Sequence, residues 1–516
     1  MNVILFITDS YRRDNISAYG PTPVKTPRID QFAKQSYVFE NCYLGSFPTI
    51  PHRLDVMSGR FSHIDHEWCP LPNDTITLQQ VLGAAGFTTY MVADNPHLLE
   101  MGFNYSRGFS GFEWTRGQET DLWRTSPKNP HVAPNGLKNR SRDFIMRNYA
   151  RNTSFWKGEE DRFPARTVGY ACKWLEENQD QDKFFLYMDL FDPHEPWDAP
   201  EKYVRLYEEE WKGEEITYPH YDFWRNFLTK VELDHIRNNY WAEASMVDHW
   251  FGVLLDKVEE LGLAEDTAII FYSDHGYLFG EHDLTGKSLM PEKEGGAFSY
   301  EAIPMYSEIR RVPLMIRLPG QTKSHRVKAI CQAPDMMPTI LEMAGVVTTE
   351  GVVGQTRTQS LQCGMFTTEE WRFRPETLHG KSLMPVIRGE TEKVRDIAVC
   401  SNTLLHHTPI LAKSAIVSED GWVLHYCGEY DKMDRQGAMY TNKLIDPELA
   451  RIPTEAALYN LESDPKEERN VIDDNKAVAK GIHERYVRFL EECGTSEEHL
   501  AGRRTLKKAG SVVKPK

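Results

Sequence analysis

Residues 2–9 read NVILFITD, an unbroken apolar run closed by an aspartate. A strand that is apolar on both faces, without alternation, is one covered on both sides, as in parallel sheets. The pattern recurs downstream. Thr267–Ser273 (TAIIFYS) closes on Asp274, and Phe184–Phe191 runs into Asp192-Pro193-His194. Phe87–Ala93 and Val312–Arg317 are further strands of this kind. Helical stretches lie between them: Thr77–Ala85, stopped by Gly86, then Val168–Asn178, and Trp241–Leu261 with apolar residues at helical intervals. Alternation of strand and helix, with polar residues at strand ends, predicts a parallel α/β sheet whose ligands sit outside the carboxyl ends.

The character changes after residue 385. Ile397–Ser401, Ala412–Val417, Trp422–Cys427 and Ala457–Leu461 are short runs separated by turn residues, which predicts a small antiparallel sheet. The division expected is therefore a large α/β unit over 1–385 and a smaller unit over 386–516. Asn104–Arg162 is aromatic, charged and poor in periodicity, and is read as a covering insertion. Lys287–Ser307, with Gly295-Gly296, is read as a mobile loop, and the basic end Arg503–Lys516 as a frayed tail.

A length of 516 residues allows one large core and a smaller second unit. The formal charge of −16 disfavours nucleic acid and anionic lipid as partners, while leaving room for a basic pocket. No apolar run reaches the roughly 20 residues of a membrane span. Cys42, Cys69, Cys172, Cys331, Cys363, Cys400, Cys427 and Cys493 show no paired spacing, so reduced thiols are expected. The first residues turn from apolar to charged too soon for a leader, which favours a cytoplasmic location.

Asp9 and Asp274 are carboxylates at strand ends, hard oxygen ligands suited to a divalent ion. His275, next to Asp274, adds a nitrogen ligand, which suits manganese or zinc better than calcium. A third element is TIPHRLDVMSGR, residues 49–60. In length, proline, arginine and terminal Ser-Gly-Arg it resembles the sulfatase signature, with Thr49 where that family carries the cysteine or serine oxidised to formylglycine.

The resemblance extends through FDPHEPWDAP (191–200), SDHGYLFGEHDLTGK (273–287), RRVPLMIRLPG (310–320), HGKSLMP (379–385) and LYNLESDPKEERNV (458–471), in family order. On these segments the chain is identified as a member of the sulfatase family of the alkaline phosphatase superfamily. The resemblance implies a large mixed, mostly parallel sheet sandwiched by helices, with a smaller C-terminal antiparallel sheet. It implies that Asp9, Asp274, His275 and the Thr49 oxygen hold one divalent ion, manganese or calcium foremost and zinc or magnesium otherwise. Arg53 would hold Thr49 and its oxyanion, Lys287 would grip nonbridging oxygens, and His194 and His97 would complete the catalytic set. Asn95 and His282 are assigned to substrate binding. Asn95 stands where the family has a lysine, and Ser10 where it has a further metal ligand. His52, His63 and His66 are read as surface or supporting residues, His406-His407 as structural, and Arg13 with Asp14 as a salt bridge at the rim. Asp192 with His194 would be the place for a second metal.

Thr49 has one hydroxyl, so it cannot release its ester by collapse to an aldehyde, as a formylglycine hydrate does. The function expected is hydrolysis of a small anionic ester, of phosphodiester or phosphonate type, with Thr49 as nucleophile. The alternatives are a sulfatase acting without formylglycine and a catalytically silent anion-binding protein. Nucleic acid and membrane are not expected partners, and a homo-oligomer is left open.

Overall fold

The computed structural model describes residues 1–126, 138–140, 142–290, 302–346, 351–359, 366–405, 413–427 and 456–506. Its centre is an eight-stranded sheet. In chain order the strands are β1 (Asn2–Thr8), β2 (Tyr37–Tyr43), β3 (Thr88–Ala93), β4 (Gly111–Trp114), β5 (Phe184–Leu190), β6 (Thr267–Ser273), β7 (Leu314–Arg317) and β8 (His325–Gln332). Across the sheet they run β8-β2-β7-β6-β1-β5-β3-β4. All are parallel except β7, which pairs antiparallel with both β2 and β6. β1 lies at the centre between β5 and β6, in register Leu5 with Tyr187 and Ile270. The mixed, mostly parallel sheet expected is the one found.

Alternate residues of β1 face opposite layers. Ile4 and Phe6 meet the helix Lys230–Glu260, whose Tyr11-side face carries Ala244, Val247, Phe251, Leu254 and Val258 at helical spacing. The Phe251 ring sits 4.9 Å from Phe6 and 5.1 Å from Phe271. Val3, Leu5 and Ile7 face the other layer, where Ile50, Leu54 and Met57 of the helix Thr49–Ser58 pack. Two apolar layers thus clamp the sheet, and the polar ends of β1, β2, β3, β5 and β6 open on one edge.

The second sheet orders Ile397–Cys400, Lys413–Ser418, Trp422–Cys427 and Ala457–Asn460 antiparallel throughout. The helix Lys476–Glu492 covers it through Ile482, Tyr486 and Leu490. Gln332 ties the two sheets together, its amide donating to the carbonyls of Leu44 (2.7 Å) and Val399 (2.8 Å).

Some expectations are corrected. The insertion 104–162 contributes an edge strand, β4, and a short helix, Arg147–Thr153. The long helix starts at Lys230 rather than Trp241, because Thr229 and Glu232 form a capping box eleven residues earlier. The end of the chain is docked as far as Leu506: the Tyr426 hydroxyl donates to the Thr505 carbonyl at 3.1 Å, and Arg504 pairs with Glu491 and Glu497. His406-His407, the interior of the Lys287–Ser307 loop and the last residues lie outside the described residues. None of the described helices is long and apolar enough to cross a membrane.

Candidate active site

At the carboxyl edge, Asp9 follows β1 and Asp274 and His275 follow β6. One ligand atom from each lies within 4.8 Å of the others, and all three residues are buried. Ser10 binds the two carboxylates together. Its N–H donates to Asp274 Oδ1 (2.9 Å) and its hydroxyl to Asp9 Oδ1 (2.9 Å). It does so from a left-handed backbone, φ 62°, which a non-glycine residue holds at a cost of about 1–2 kcal/mol. Ser10 is therefore a clamp on the two carboxylates.

Burial works to raise the Asp9 carboxyl, but Lys287 and Arg53 hold it well below the ordinary range. Burial and the neighbouring Asp9 charge push Asp274 well above it. Two carboxylates that repel each other in a dry site, beside a neutral imidazole, are a donor set that a divalent cation would relieve. Burial and Lys287 keep His275 well below its usual value, hence neutral. Its Nδ1 donates to the Gly276 carbonyl (3.0 Å), since a carbonyl can only accept, and Nε2 is left as the nitrogen with a lone pair that could ligate. These residues fit a divalent ion.

Arg53 is fully buried and meets Asp9 (3.1 Å), Asp274 and Asp189. Asp189 takes the guanidinium in a fork, Nε and Nη2 each at 3.0 Å. Asp189 also accepts from the Tyr187 hydroxyl (2.8 Å) and from the Asn95 amide (3.2 Å). The sequence reading missed Asp189; the signal was a carboxylate inside the apolar run FFLYMDL, which a buried strand tolerates only if it is paired. Asn95 is fully buried, with its oxygen accepting from the His97 N–H at 3.2 Å.

Thr49 is the first residue of its helix and is 1 % exposed. Arg53 lies one turn further on, on the same face. Phe47, just before the helix, packs its ring 5.1 Å from that of His275, so the helix start lies beside the carboxylate cluster. Lys287 Nζ stands 3.2 Å from His275 Nε2 and 3.8 Å from Asp9 Oδ1. His194 donates from Nδ1 to the Glu195 carbonyl (2.7 Å) and stacks on Phe191 at 4.0 Å. Burial, with Lys287, keeps its ring below the usual histidine value despite Glu195.

Other predicted residues fall elsewhere. His282 stacks on Tyr306, ring centroids 3.4 Å apart, with Nε2 3.8 Å from Glu308. Asp14 pairs with Arg12 at 2.5 Å rather than with Arg13, whose guanidinium lies over the Tyr19 ring. His52 and His63 are interior, not surface, residues: His52 Nε2 is 3.2 Å from the Tyr272 hydroxyl and His63 Nδ1 is 3.0 Å from the Ser46 hydroxyl. Asp192 accepts from the Gln118 amide at 3.2 Å, and Asp9, Asp274 and His275 form the three-ligand group found among the described residues.

A large mixed sheet carrying a carboxylate–histidine site at its carboxyl edge is the architecture of metal-dependent ester hydrolases of the alkaline phosphatase superfamily. The sulfatase family profile matches residues 1–346, and the chain belongs to the sulfatase family. It is 25% identical over 368 residues to the ulvan-active sulfatase of Formosa agariphila, covering 69% of this chain and 63% of that protein. It is also 25% identical over 440 residues to the multifunctional alkaline phosphatase superfamily protein PehA of Trinickia caryophylli, covering 72% and 78%. The phosphonate monoester hydrolase of Agrobacterium radiobacter shares the fold, with a TM-score of 0.64, 19% identity and coverage of 95% and 96%.

Proposed function

We propose that the chain hydrolyses small anionic esters with one negative charge at the reacting centre, phosphodiesters or phosphonate monoesters, using Thr49 as nucleophile. The observation that carries this is the pairing on one helix face of Thr49 with Arg53, whose guanidinium is already shared among three carboxylates. A divalent ion held by Asp9, Asp274, His275 and Thr49 would supply Lewis-acid polarisation of the reacting oxygens. Arg53 orients Thr49 and carries part of the charge that develops at its oxygen. Lys287 binds the nonbridging oxygens, and His194 and His97 stand near the groups that gain or lose protons. With one hydroxyl on Thr49, the threonyl ester is cleaved by water at phosphorus.

Asn95, in place of a lysine, leaves the pocket one cation short. That favours a singly charged ester over a phosphate monoester with nearly two charges. Sulfate esters share the single charge but leave threonine poorly. A screen of 4-nitrophenyl sulfate, phosphate, phosphodiester and phosphonate, with manganese, calcium or zinc added, should rank phosphodiester or phosphonate first, phosphate next and sulfate last. A clear preference for the aryl sulfate would instead establish a sulfatase acting without formylglycine.

A further inference from the structure

His97 and Glu119 come together from two separate segments, the loop after β3 and the covering insertion. The Glu119 carboxylate is buried, on a residue whose backbone is left-handed at φ 37°. Its Oε1 accepts from the Tyr218 hydroxyl. Its Oε2 approaches His97 Nε2 to 3.0 Å as an ion pair, and makes no hydrogen bond among the described residues. The backbone N–H of Glu119 is taken up by its neighbour Gln118 (3.1 Å), whose amide reaches Asp192, so the strained turn is anchored. Burial works to raise Glu119, but His97 at its side, with the charges of His194 and Arg140 behind it, holds it well below the ordinary carboxylate range.

The ring of His97 has Trp68 at its edge (5.0 Å) and Phe191 beside it (5.5 Å), and Phe191 in turn stacks on His194. Glu100 is a further charged group near it. The His97 side chain is 20 % exposed, while His194, Glu119 and Asp9 are closed off, so it stands at the mouth of the polar cluster.

We propose that Glu119 is a positioning residue that fixes His97 with a proton on Nε2, leaving Nδ1 for the leaving group. An ionised carboxylate only accepts, so the nitrogen facing it carries hydrogen. As the Thr49 alkoxide bonds to phosphorus, the bond to the leaving oxygen breaks, its electron pair goes to that oxygen and Nδ1–H supplies the proton. The neutral ring then keeps its remaining N–H on Glu119, which itself never takes a proton. This inference rests on the proposed function for its catalytic half only; the tautomer stands or falls by itself.

Two measurements test it. Nitrogen-15 NMR of histidine-labelled wild-type protein should show neutral His97 as the Nε2–H tautomer, whether or not any ester is turned over. An Nδ1–H tautomer would overturn the proposal. The second compares the phenyl and 4-nitrophenyl esters of methylphosphonate in Glu119→Gln, which keeps an acceptor for the ring but loses the charge. The alkaline limb of kcat/KM should move to lower pH by about one unit. At pH 8 the phenyl ester should lose about tenfold or more, and the 4-nitrophenyl ester, which needs no proton, little. Equal losses for the two esters with an unmoved limb would reduce Glu119 to packing and sink the idea. Absence of turnover of either ester by the wild-type protein would instead count against the proposed function.

Discussion

The four ionisable side chains gathered at Arg53, its own included, are buried beyond reach of water, so their balance depends on geometry rather than on solvent. Arg53 faces Asp9, Asp189 and Asp274, and each of these four side chains is 0 % exposed. Asp189 lies opposite the other two and fixes the guanidinium in a fork. Asp189→Asn halves that anchor and leaves a buried charge under-compensated, a change that costs about 3–5 kcal/mol in such settings. Urea unfolding should show the loss, and an unchanged midpoint would mean that Asp9 and Asp274 hold Arg53 without help. Thr49 is different in kind, because its hydroxyl is assigned to chemistry and not to the fold. Thr49→Ala should keep the unfolding midpoint, retain part of the ion counted by elemental analysis through the remaining three residues, and lower turnover by about three orders of magnitude or more. Near-normal turnover in that variant would pass the attack to water.

The strands and helices show how far the chain could be read. Buried parallel strands announce themselves by continuous apolar runs, and β1, β5 and β6 were placed within a residue of their ends. β2 was missed because YVFENCY mixes polar and apolar residues, as suits a strand that is buried only in part. β4 was missed because four residues at a sheet edge carry no period at all. Asp9, Asp274 and His275 could be found from strand ends, since chemistry there follows from topology. Asp189 left a trace, a carboxylate inside an apolar run, whereas Glu119 left none, because it meets His97 through a pairing distant in sequence that no local pattern records. The long helix supplies a test at this scale. Phe251 packs between Phe6, Phe32 and Phe271, and joins the helix to both central strands. Phe251→Ala should cost about 3–5 kcal/mol, read as a lower denaturation midpoint. A change below about 1 kcal/mol would show that the layer closes over the cavity.

On the scale of the whole molecule, the question is what keeps the C-terminal sheet in place against the catalytic sheet. Apolar contact contributes, but one charged group is singled out by its position. Glu467, 2 % exposed and in a left-handed turn at φ 55°, reaches Arg310 (2.8 Å) on the catalytic side and His425 (2.6 Å) on the small sheet. Its side chain also accepts from the Ser307 N–H at 3.0 Å. Burial alone would raise this carboxyl, yet Arg310 and His425 bring it down to about 2. A fall from the ordinary 4.5 to about 2 corresponds to about 3 kcal/mol of stability. The sign follows from the direction. The folded value lies below the unfolded one, so the contribution is complete above pH 4.5 and drains away as pH falls toward 2. Glu467→Gln should therefore lower the melting temperature at pH 7, and the gap between variant and wild type should narrow steadily below pH 4.5. Because the bond spans the two sheets, fluorescence of Trp422 on the small sheet should change before the loss of central-sheet circular dichroism in the variant. A gap between the two proteins that stays constant from pH 7 to 2.5 would show that the charge on Glu467 does not couple the sheets, and that packing alone joins them.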